Sequence, residues 1–514
     1  MMRSLAGSDL ITKGVAMFEE VDLLVVGGGI NGVGIARDAV GRGLRVMLCE
    51  QDDLASHTSS ASTKLIHGGL RYLEQYEFKL VGKALAEREV LLRAAPHIIS
   101  PLRFVLPHQP HLRPAWMIRI GLFLYDHLGR VKHPTLKPSR SLDLRTDPTG
   151  TPLRDEFTRG FVYSDARVQD ARLVVLNAMD IRERGGEVLT RTRCVSARRD
   201  SAAWTVQLQS QAGGPLREVR ARALVNAAGP WAARFLDEVA HVAHDHTVRL
   251  VKGSHIVVPK LFEHDHAYIF QQPDRRIVFA IPYEGEFTLI GTTDVEFKAD
   301  PAHVEISDEE TRYLCEAASR YFKQPIREQD VVWAYSGVRP LLSDDNDSAS
   351  EATRDYLLGL DTQGAPLLNV FGGKLTTFRR LGEDAVNQLA PVLGCKQGPW
   401  TDEAILPGGD VAEGLVAGLV SQLAVTHAWV PSPLLERWCH SYGTRTRRLL
   451  GGAKGMDDLG EHFGAGLHAR EVDYLLTHEW ASTADDILWR RSKLGLHFDP
   501  AMREHLAAYI SAAA

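Results

Sequence analysis

Residues 21–34 read Val-Asp-Leu-Leu-Val-Val-Gly-Gly-Gly-Ile-Asn-Gly-Val-Gly, an apolar, β-branched run followed at once by glycines. The run predicts a buried strand, and residues 35–41 after the glycines have the character of a helix. Gly27, Gly29 and Gly32 have the G-x-G-x-x-G spacing, which permits a tight turn, close approach of the backbone to a pyrophosphate, and close packing of helix on strand. The pyrophosphate then lies at the N-terminus of the helix.

A second apolar strand, predicted at residues 44–49, ends in Glu50, about twenty residues after the glycines. A carboxylate at that position can accept hydrogen bonds from adenosine ribose hydroxyls and disfavours a 2′-phosphate. A glycine pattern alone is a weak signal. Strand, glycine turn, helix, second strand and terminal acid in this order predict a site for an adenine dinucleotide.

Three further stretches favour a flavin over NAD. The segment after Glu50 is small and rich in hydroxyls, with Ser59 and Ser60 suited to closing the backbone around a cofactor. An apolar strand at 223–227 ends in small residues up to Gly229-Pro230, as a strand does where it passes beneath a bound group. A fourth strand, at 367–371, runs into glycines and a helix start, where free amides and a lysine can hold the reduced, anionic end of a flavin. The candidate cofactor residues here are Gly373, Lys374, Leu375 and Thr376.

Five short motifs follow one another along the chain: STKLIHGGLRYLE at 62–74, KGSHI at 252–256, IGTTD at 290–294, YSGVRP at 335–340 and FGGKLTT at 371–377. In this order they resemble the FAD-dependent glycerol-3-phosphate dehydrogenases of bacterial aerobic respiration, within the amino-acid-oxidase-like superfamily. The resemblance implies an α/β (α+β) molecule. Its parts are a glutathione-reductase-like Rossmann FAD domain interleaved with an antiparallel-sheet substrate domain, and an all-α C-terminal cap. FAD is the implied cofactor.

Length and composition fit this reading. A chain of 514 residues allows two to four folding units, and we expect a flexible tail at 1–20, the interleaved FAD and substrate domains at 21–400, and the helical domain at 401–514. A net charge of −6 gives no global attraction to nucleic acid. Five scattered cysteines without a C-x-x-C pair suggest a reducing compartment, and the sequence has neither a signal peptide nor an 18-residue apolar stretch.

Oxidation of a phosphorylated secondary alcohol needs cations for the phosphate and a group that takes the hydroxyl proton. Two arginines can bind phosphate oxygens bidentately, and two hydroxyls can add donors. By resemblance, the residues that bind glycerol 3-phosphate are Arg71, Tyr72, His255, Thr292, Arg339 and Lys374. Of these, His255, Arg339 and Lys374 are the candidate catalytic residues. His255 is the candidate base, and Lys374 suits an electrostatic role because an unperturbed lysine is protonated at pH 7.

Electrons must leave the reduced flavin, and the sequence contains no iron–sulfur or haem motif. The resemblance implies ubiquinone or menaquinone as acceptor, a homodimer, and a cytoplasmic protein bound peripherally to the inner face of the membrane. Residues 103–145 contain an apolar stretch and eight Lys or Arg against two Asp or Glu. That composition fits an interfacial helix, and it equally fits a buried helix with a basic rim.

No metal site is expected. The histidines at 241, 244 and 246 have no partnering motif, and residues 344–347 lack the glycine and glutamate of a calcium loop. Two alternatives to a quinone-linked dehydrogenase stay open from sequence. One is a flavin oxidase that uses oxygen or acts on an amino or 2-hydroxy acid, and the other is a flavoprotein scaffold without turnover.

Overall fold

A computed structural model describes residues 19–109, 113–129, 135–244, 248–274, 276–342, 356–412 and 415–513. The predicted tail at 1–20 falls outside these ranges, except that Glu19 and Glu20 form the start of the first strand. Within the described ranges the chain builds two large sheets and a mainly helical C-terminal unit. The α/β fold class predicted from sequence is confirmed.

The first sheet contains the glycine motif. Its described strands are β1 (Glu19–Val26), β2 (Val46–Cys49), β7 (Glu187–Leu189), β8 (Thr192–Arg199), β9 (Trp204–Ser210), β10 (Arg217–Asn226), β17 (Leu357–Asp361) and β18 (Leu367–Phe371). In the order β18-β10-β1-β2-β7 the strands are parallel, so their carboxyl ends meet at one edge. From Val21 to Val26, β1 is buried on both faces, which explains why this stretch is apolar except at Asp22.

The second sheet is antiparallel except where β4 and β12 run parallel. Its described strands are β3 (Leu65–Ile66), β4 (Ile99–Pro107), β5 (Arg140–Asp143), β6 (Arg159–Val168), β11 (Val248–Pro259), β12 (Ala267–Gln271), β13 (Ile277–Tyr283), β14 (Phe287–Gly291), β15 (Val295–Glu296) and β16 (Trp333–Leu342). The chain passes from the first sheet to the second after β2 and again after β10, and returns each time. The two sheets are therefore interleaved in sequence, as the resemblance implies.

Helices cover the sheets and form most of the C-terminal unit. They are α1 (Ile30–Gly41), α2 (Phe78–Ala94), α3 (Ala115–His127), α4 (Asp170–Glu183), α5 (Ala232–Phe235), α6 (Asp308–Ser319), α7 (Phe378–Leu393), α8 (Val416–Thr426), α9 (Ser432–Tyr442), α10 (Thr446–Leu450), α11 (Ala469–Glu479) and α12 (Pro500–Ala513). The C-terminal unit is not purely helical, because β19 (His462–Gly464) and β20 (Leu467–His468) form a short antiparallel ladder. It has its own apolar core around Trp438 and Leu475.

Candidate active site

The glycine turn lies between β1 and α1, at the carboxyl edge of the first sheet. α1 begins at Ile30, five residues earlier than the sequence pattern indicates, because Gly29 takes an extended conformation and acts as the N-cap. Gly27 has φ +114°, and a Cβ there would come within 2.8 Å of the Ala227 carbonyl carbon. A Cβ on Gly32 would overlap the Gly27 carbonyl oxygen, so Gly32 serves helix–strand packing.

Glu50 lies where β2 ends, beside the glycine turn. Its carboxylate accepts hydrogen bonds from the backbone N–H groups of Gly28 at 2.6 Å and Asp52 at 2.9 Å. Burial raises the pKa of this carboxyl, and the two N–H groups act against that rise. The geometry leaves further lone pairs of a carboxylate for hydroxyl donors.

A cavity of about 680 Å³ extends from this turn to the second sheet. Two features bear on whether it fits FAD. At the N-terminus of α1 the cap residue Gly29 makes no side-chain hydrogen bond, although Ser59 Oγ accepts from the Ile30 N–H, and a pyrophosphate can lie at this helix end. The Asn31 Oδ1 atom, in the cavity wall, is buried without a hydrogen-bond partner among the described residues, so this wall is short of a donor that the hydroxyls of FAD supply. The site fits FAD.

The predicted cofactor residues surround the same cavity, with the exceptions of Gly32 and Ser60. Gly29, Ser59, Gly229, Gly373, Lys374, Leu375 and Thr376 line it together with Glu50. Ser59 Oγ also accepts from the Ile30 N–H at 3.0 Å. Ser60 stands outside the lining, and its hydroxyl donates to the His57 carbonyl at 3.1 Å within a turn.

The predicted phosphate-binding residues line the cavity too. Arg339 on β16 donates to Thr292 Oγ1 at 3.1 Å and pairs with Asp294. Its guanidinium lies over Gly253, where a Cβ would be 3.0 Å from Cζ. The Lys374 ammonium lies 4.2 Å from the centre of the Tyr72 ring, and half-buried Arg71 stands beside that tyrosine in the chain. The structure thus brings together side chains separated by more than 300 residues.

His255 lies on β11 in the cavity wall and is 1% exposed. Its Nε2 is 3.0 Å from Thr63 Oγ1, and Thr63 also lines the cavity. Burial, with Arg339 and Lys64 nearby, lowers the pKa of His255 well below 6.5, so the imidazole is neutral at pH 7. A neutral imidazole has a lone pair that can take a proton.

Several supporting residues of the site have no signal in the sequence that marks their role. Asp294 follows Thr292 within a quoted motif, but only the fold shows that it pairs with Arg339. Lys64 and Asp170 form a buried ion pair at 2.9 Å, and the same carboxylate accepts from the Ser62 hydroxyl at 2.7 Å. This pair fixes the segment that presents Thr63 to His255. Its two partners are 106 residues apart, so no local pattern indicates it.

For metals, the described ranges contain no group of three or more His, Cys, Asp or Glu that could hold an ion. His246 and residues 344–347 lie outside those ranges. No helix in the part of the chain that the structure describes is long and apolar enough to cross a bilayer.

The parallel sheet carries a dinucleotide site, and the cavity extends from it to an antiparallel sheet that bears Arg339 and a neutral His255. This arrangement is that of a flavin-dependent oxidoreductase. The sequence model of the protein family described as FAD dependent oxidoreductase matches residues 22–379. The family model of the C-terminal domain of alpha-glycerophosphate oxidase matches residues 399–513.

Three known proteins show the similarity in detail. Glycerol-3-phosphate dehydrogenase of Pseudomonas aeruginosa is 58% identical over 502 residues, covering 97% of this chain and 96% of that protein. D-erythritol 1-phosphate dehydrogenase of Brucella abortus is 52% identical over 486 residues, covering 94% and 96%. The structure of glycerol-3-phosphate dehydrogenase from Bacillus halodurans complexed with FAD superposes with a TM-score of 0.75 at 26% identity, covering 96% and 94%. The chain belongs to the family of FAD-dependent glycerol-3-phosphate dehydrogenases, which confirms the resemblance seen in its sequence. FAD is its cofactor.

Proposed function

We propose that the protein oxidises sn-glycerol 3-phosphate to dihydroxyacetone phosphate and passes the electrons to a membrane quinone. The observation that carries this proposal is the set of three cations, Arg71, Arg339 and Lys374, in one cavity with a neutral His255. Asp294 pairs with Arg339, so these three cations and one carboxylate carry a net charge of +2. An excess of positive charge suits a phosphate dianion better than the single charge of an amino or hydroxy acid.

Each residue then has a role in the reaction. Arg339 and Arg71 bind phosphate oxygens, and the hydroxyls of Tyr72 and Thr292 add donors. The proton of the alcohol leaves toward His255 Nε2, the ring nitrogen that lies 3.0 Å from the hydroxyl of Thr63, another residue of the cavity wall. Lys374 stabilises negative charge as the oxygen loses its proton. Bound FAD supplies the acceptor for the two electrons of the carbon-bound hydrogen.

An anaerobic titration of the flavin absorbance tests the proposal. Glycerol 3-phosphate should bleach the oxidised flavin band, and a quinone analogue added afterwards should restore it faster than oxygen does. We expect Arg339→Gln to weaken substrate binding about tenfold or more, because one charge-assisted hydrogen bond contributes about 1.5–3 kcal/mol. Arg312→Gln, which alters an exposed ion pair with Glu328 outside the cavity, should bind substrate as the unaltered protein does.

D-erythritol 1-phosphate is a second candidate substrate, because a relative with 52% identity bears that name. It shares the phosphate and the secondary alcohol and differs in length. Parallel titrations with both compounds distinguish them, and the one with the larger ratio of flavin-reduction rate to dissociation constant is the better substrate. Reduction by neither compound would refute the proposal.

The membrane contact that we propose is α3. Its residues Trp116, Ile120 and Phe123 are 63%, 52% and 54% exposed, although all three are large and apolar. Leu122 and Tyr125 on the same helix face inward, so α3 presents one apolar face outside the core. Arg119 and Arg159 line a neighbouring groove together with the ion pair of Arg145 and Asp143, which leaves net positive charge beside that face. This combination suits an anionic bilayer surface.

Sedimentation with anionic vesicles tests the contact. Phe123→Ser should weaken vesicle binding several-fold because it removes apolar area from the interface. Val425→Ser is a matched control, since Val425 is 82% exposed in the C-terminal unit. Equal binding of the two variants would exclude α3.

The homodimer that the resemblance implies is part of the proposal, and analytical ultracentrifugation tests it.

A further inference from the structure

The C-terminal unit contacts the cofactor side of the molecule through the six-residue turn Asp486–Arg491, here named the Arg-Trp turn. Arg491 donates to both oxygens of Asp53, at 2.6 and 2.7 Å, and Arg490 Nε donates to the same carboxylate at 2.6 Å. The carbonyl of Asp53 in turn accepts from the Ser56 hydroxyl at 2.7 Å. Ser56 lines the cavity, so the turn holds the loop that follows β2.

The same turn begins a column of four rings that ends inside the cavity wall. Trp489 stacks on Trp333 with ring centres 4.4 Å apart and planes at 17°. Trp333 lies 5.0 Å from Tyr335, and Tyr335 stacks on His255 at 4.8 Å and 13°. Tyr335 lies directly across the β11–β16 ladder from His255, and Trp333 across from Val257, which places the two aromatic residues on one face of β16.

This column decides the plane of the His255 ring. Its one described hydrogen bond joins Nε2 to Thr63, while Nδ1 is buried without a partner among the described residues. A single hydrogen bond leaves the ring free to rotate about the line that joins Nε2 to Thr63 Oγ1, so packing must set the plane of the ring. Tyr335 covers the ring by stacking, and the backbone of Gly291 also packs against it, where a Cβ would overlap the imidazole. Tyr335 is itself held by a hydrogen bond from its hydroxyl to the Ser62 carbonyl at 2.8 Å.

We propose that Trp489 is a positioning residue: through Trp333 and Tyr335 it fixes the imidazole of His255, so the C-terminal unit completes the active site that it does not itself line. This inference rests on the proposed function, because it assigns His255 as the proton acceptor. Trp489 is fixed in its own unit, since a Cβ on Gly495 would lie 2.5 Å from its ring, and the Arg503 guanidinium lies 5.4 Å from the ring centre.

The test compares Trp489→Leu with Trp489→Phe in the FAD-loaded full chain. We expect Trp489→Leu to slow flavin reduction about tenfold or more, because small misplacements of a reacting group have large rate effects. FAD content, melting temperature and the dissociation constant of dihydroxyacetone phosphate should change little, and Trp489→Phe should recover most of the rate. Trp480→Leu is the matched control: Trp480 also joins the two parts of the molecule, over Arg182 at 4.2 Å, but stands outside the column.

Two further measurements separate positioning from general loosening. In a His255→Asn background, Trp489→Leu should have less than about a twofold effect on the rate, because coupled residues are non-additive. An equal loss in both backgrounds, or no loss in either, would overturn the inference. The second measurement is the ring Cε1–H resonance of His255, assigned by its absence in His255→Asn. It should move in Trp489→Leu and stay in Trp480→Leu, and an unmoved resonance would also overturn the inference. If glycerol 3-phosphate fails to reduce the unaltered enzyme, the proposed function fails while this resonance still decides the positioning.

Discussion

Gly253→Ala should weaken binding of glycerol 3-phosphate without removing FAD. Gly253 lies on β11 beneath the Arg339 guanidinium. An added Cβ would lie 3.0 Å from Arg339 Cζ and 2.8 Å from Thr292 Oγ1. Arg339 Nη2 would be closer to it still, and unstrained contacts are about 3.5–4.0 Å, so the guanidinium must retreat by about 1 Å or more. Such a shift breaks the in-plane geometry of a bidentate contact with phosphate.

Loss of one charge-assisted hydrogen bond corresponds to about 1.5–3 kcal/mol, or roughly a 10- to 150-fold rise in the dissociation constant. Anaerobic titration of the flavin spectrum measures that constant, and the flavin-to-protein absorbance ratio measures FAD content. Gly121→Ala is the control, because a Cβ at Gly121 meets nothing within 4 Å. If Gly253→Ala folds, retains FAD and binds substrate with unchanged affinity, Arg339 does not hold the phosphate. Arg339→Lys provides the same test should the alanine variant fail to fold.

Three further predictions concern the base, the cofactor and the domain contact. Because burial and the cations Arg339 and Lys64 disfavour the imidazolium, the pKa of His255 stays below 6.5. The substrate phosphate itself titrates at about pH 6, so the rate of flavin reduction is compared at saturating glycerol 3-phosphate. It should change less than about twofold between pH 8 and 6, and a loss with an apparent pKa near the ordinary histidine value would contradict this. Glu50→Gln should lower FAD affinity about tenfold, seen as flavin lost on repeated gel filtration, since one charged acceptor is removed. Asp53→Asn should lower the free energy of unfolding in urea by about 3–5 kcal/mol, because fully buried Arg491 loses its carboxylate partner. A urea midpoint unchanged within error would show that this ion pair makes no net contribution to the free energy of unfolding.

The sequence by itself determined the parts of the protein that depend on neighbours along the chain. The β1 run, the Gly27 turn and Glu50 are local signals, because a strand, a tight turn and the residue that ends the next strand are each set within a few positions. The five short motifs, which are also local, were sufficient to indicate the family to which the chain belongs. Short-range patterns failed only in detail, as where α1 begins at Ile30 with a glycine cap that no hydroxyl or carboxylate marks.

Only the tertiary structure decided which groups face one another. Asp294 and Arg339 pair because β16 returns beside β11, and Lys64 meets Asp170 after 106 residues of intervening chain. The placement of Trp489 against Trp333 depends on how the C-terminal unit docks, and no periodicity within either segment specifies it. The burial of individual side chains is also decided by the tertiary structure. From sequence, a histidine in a β-branched strand is expected to have an ordinary pKa. The fold buries His255 beside two cations, which lowers its pKa and keeps the imidazole neutral.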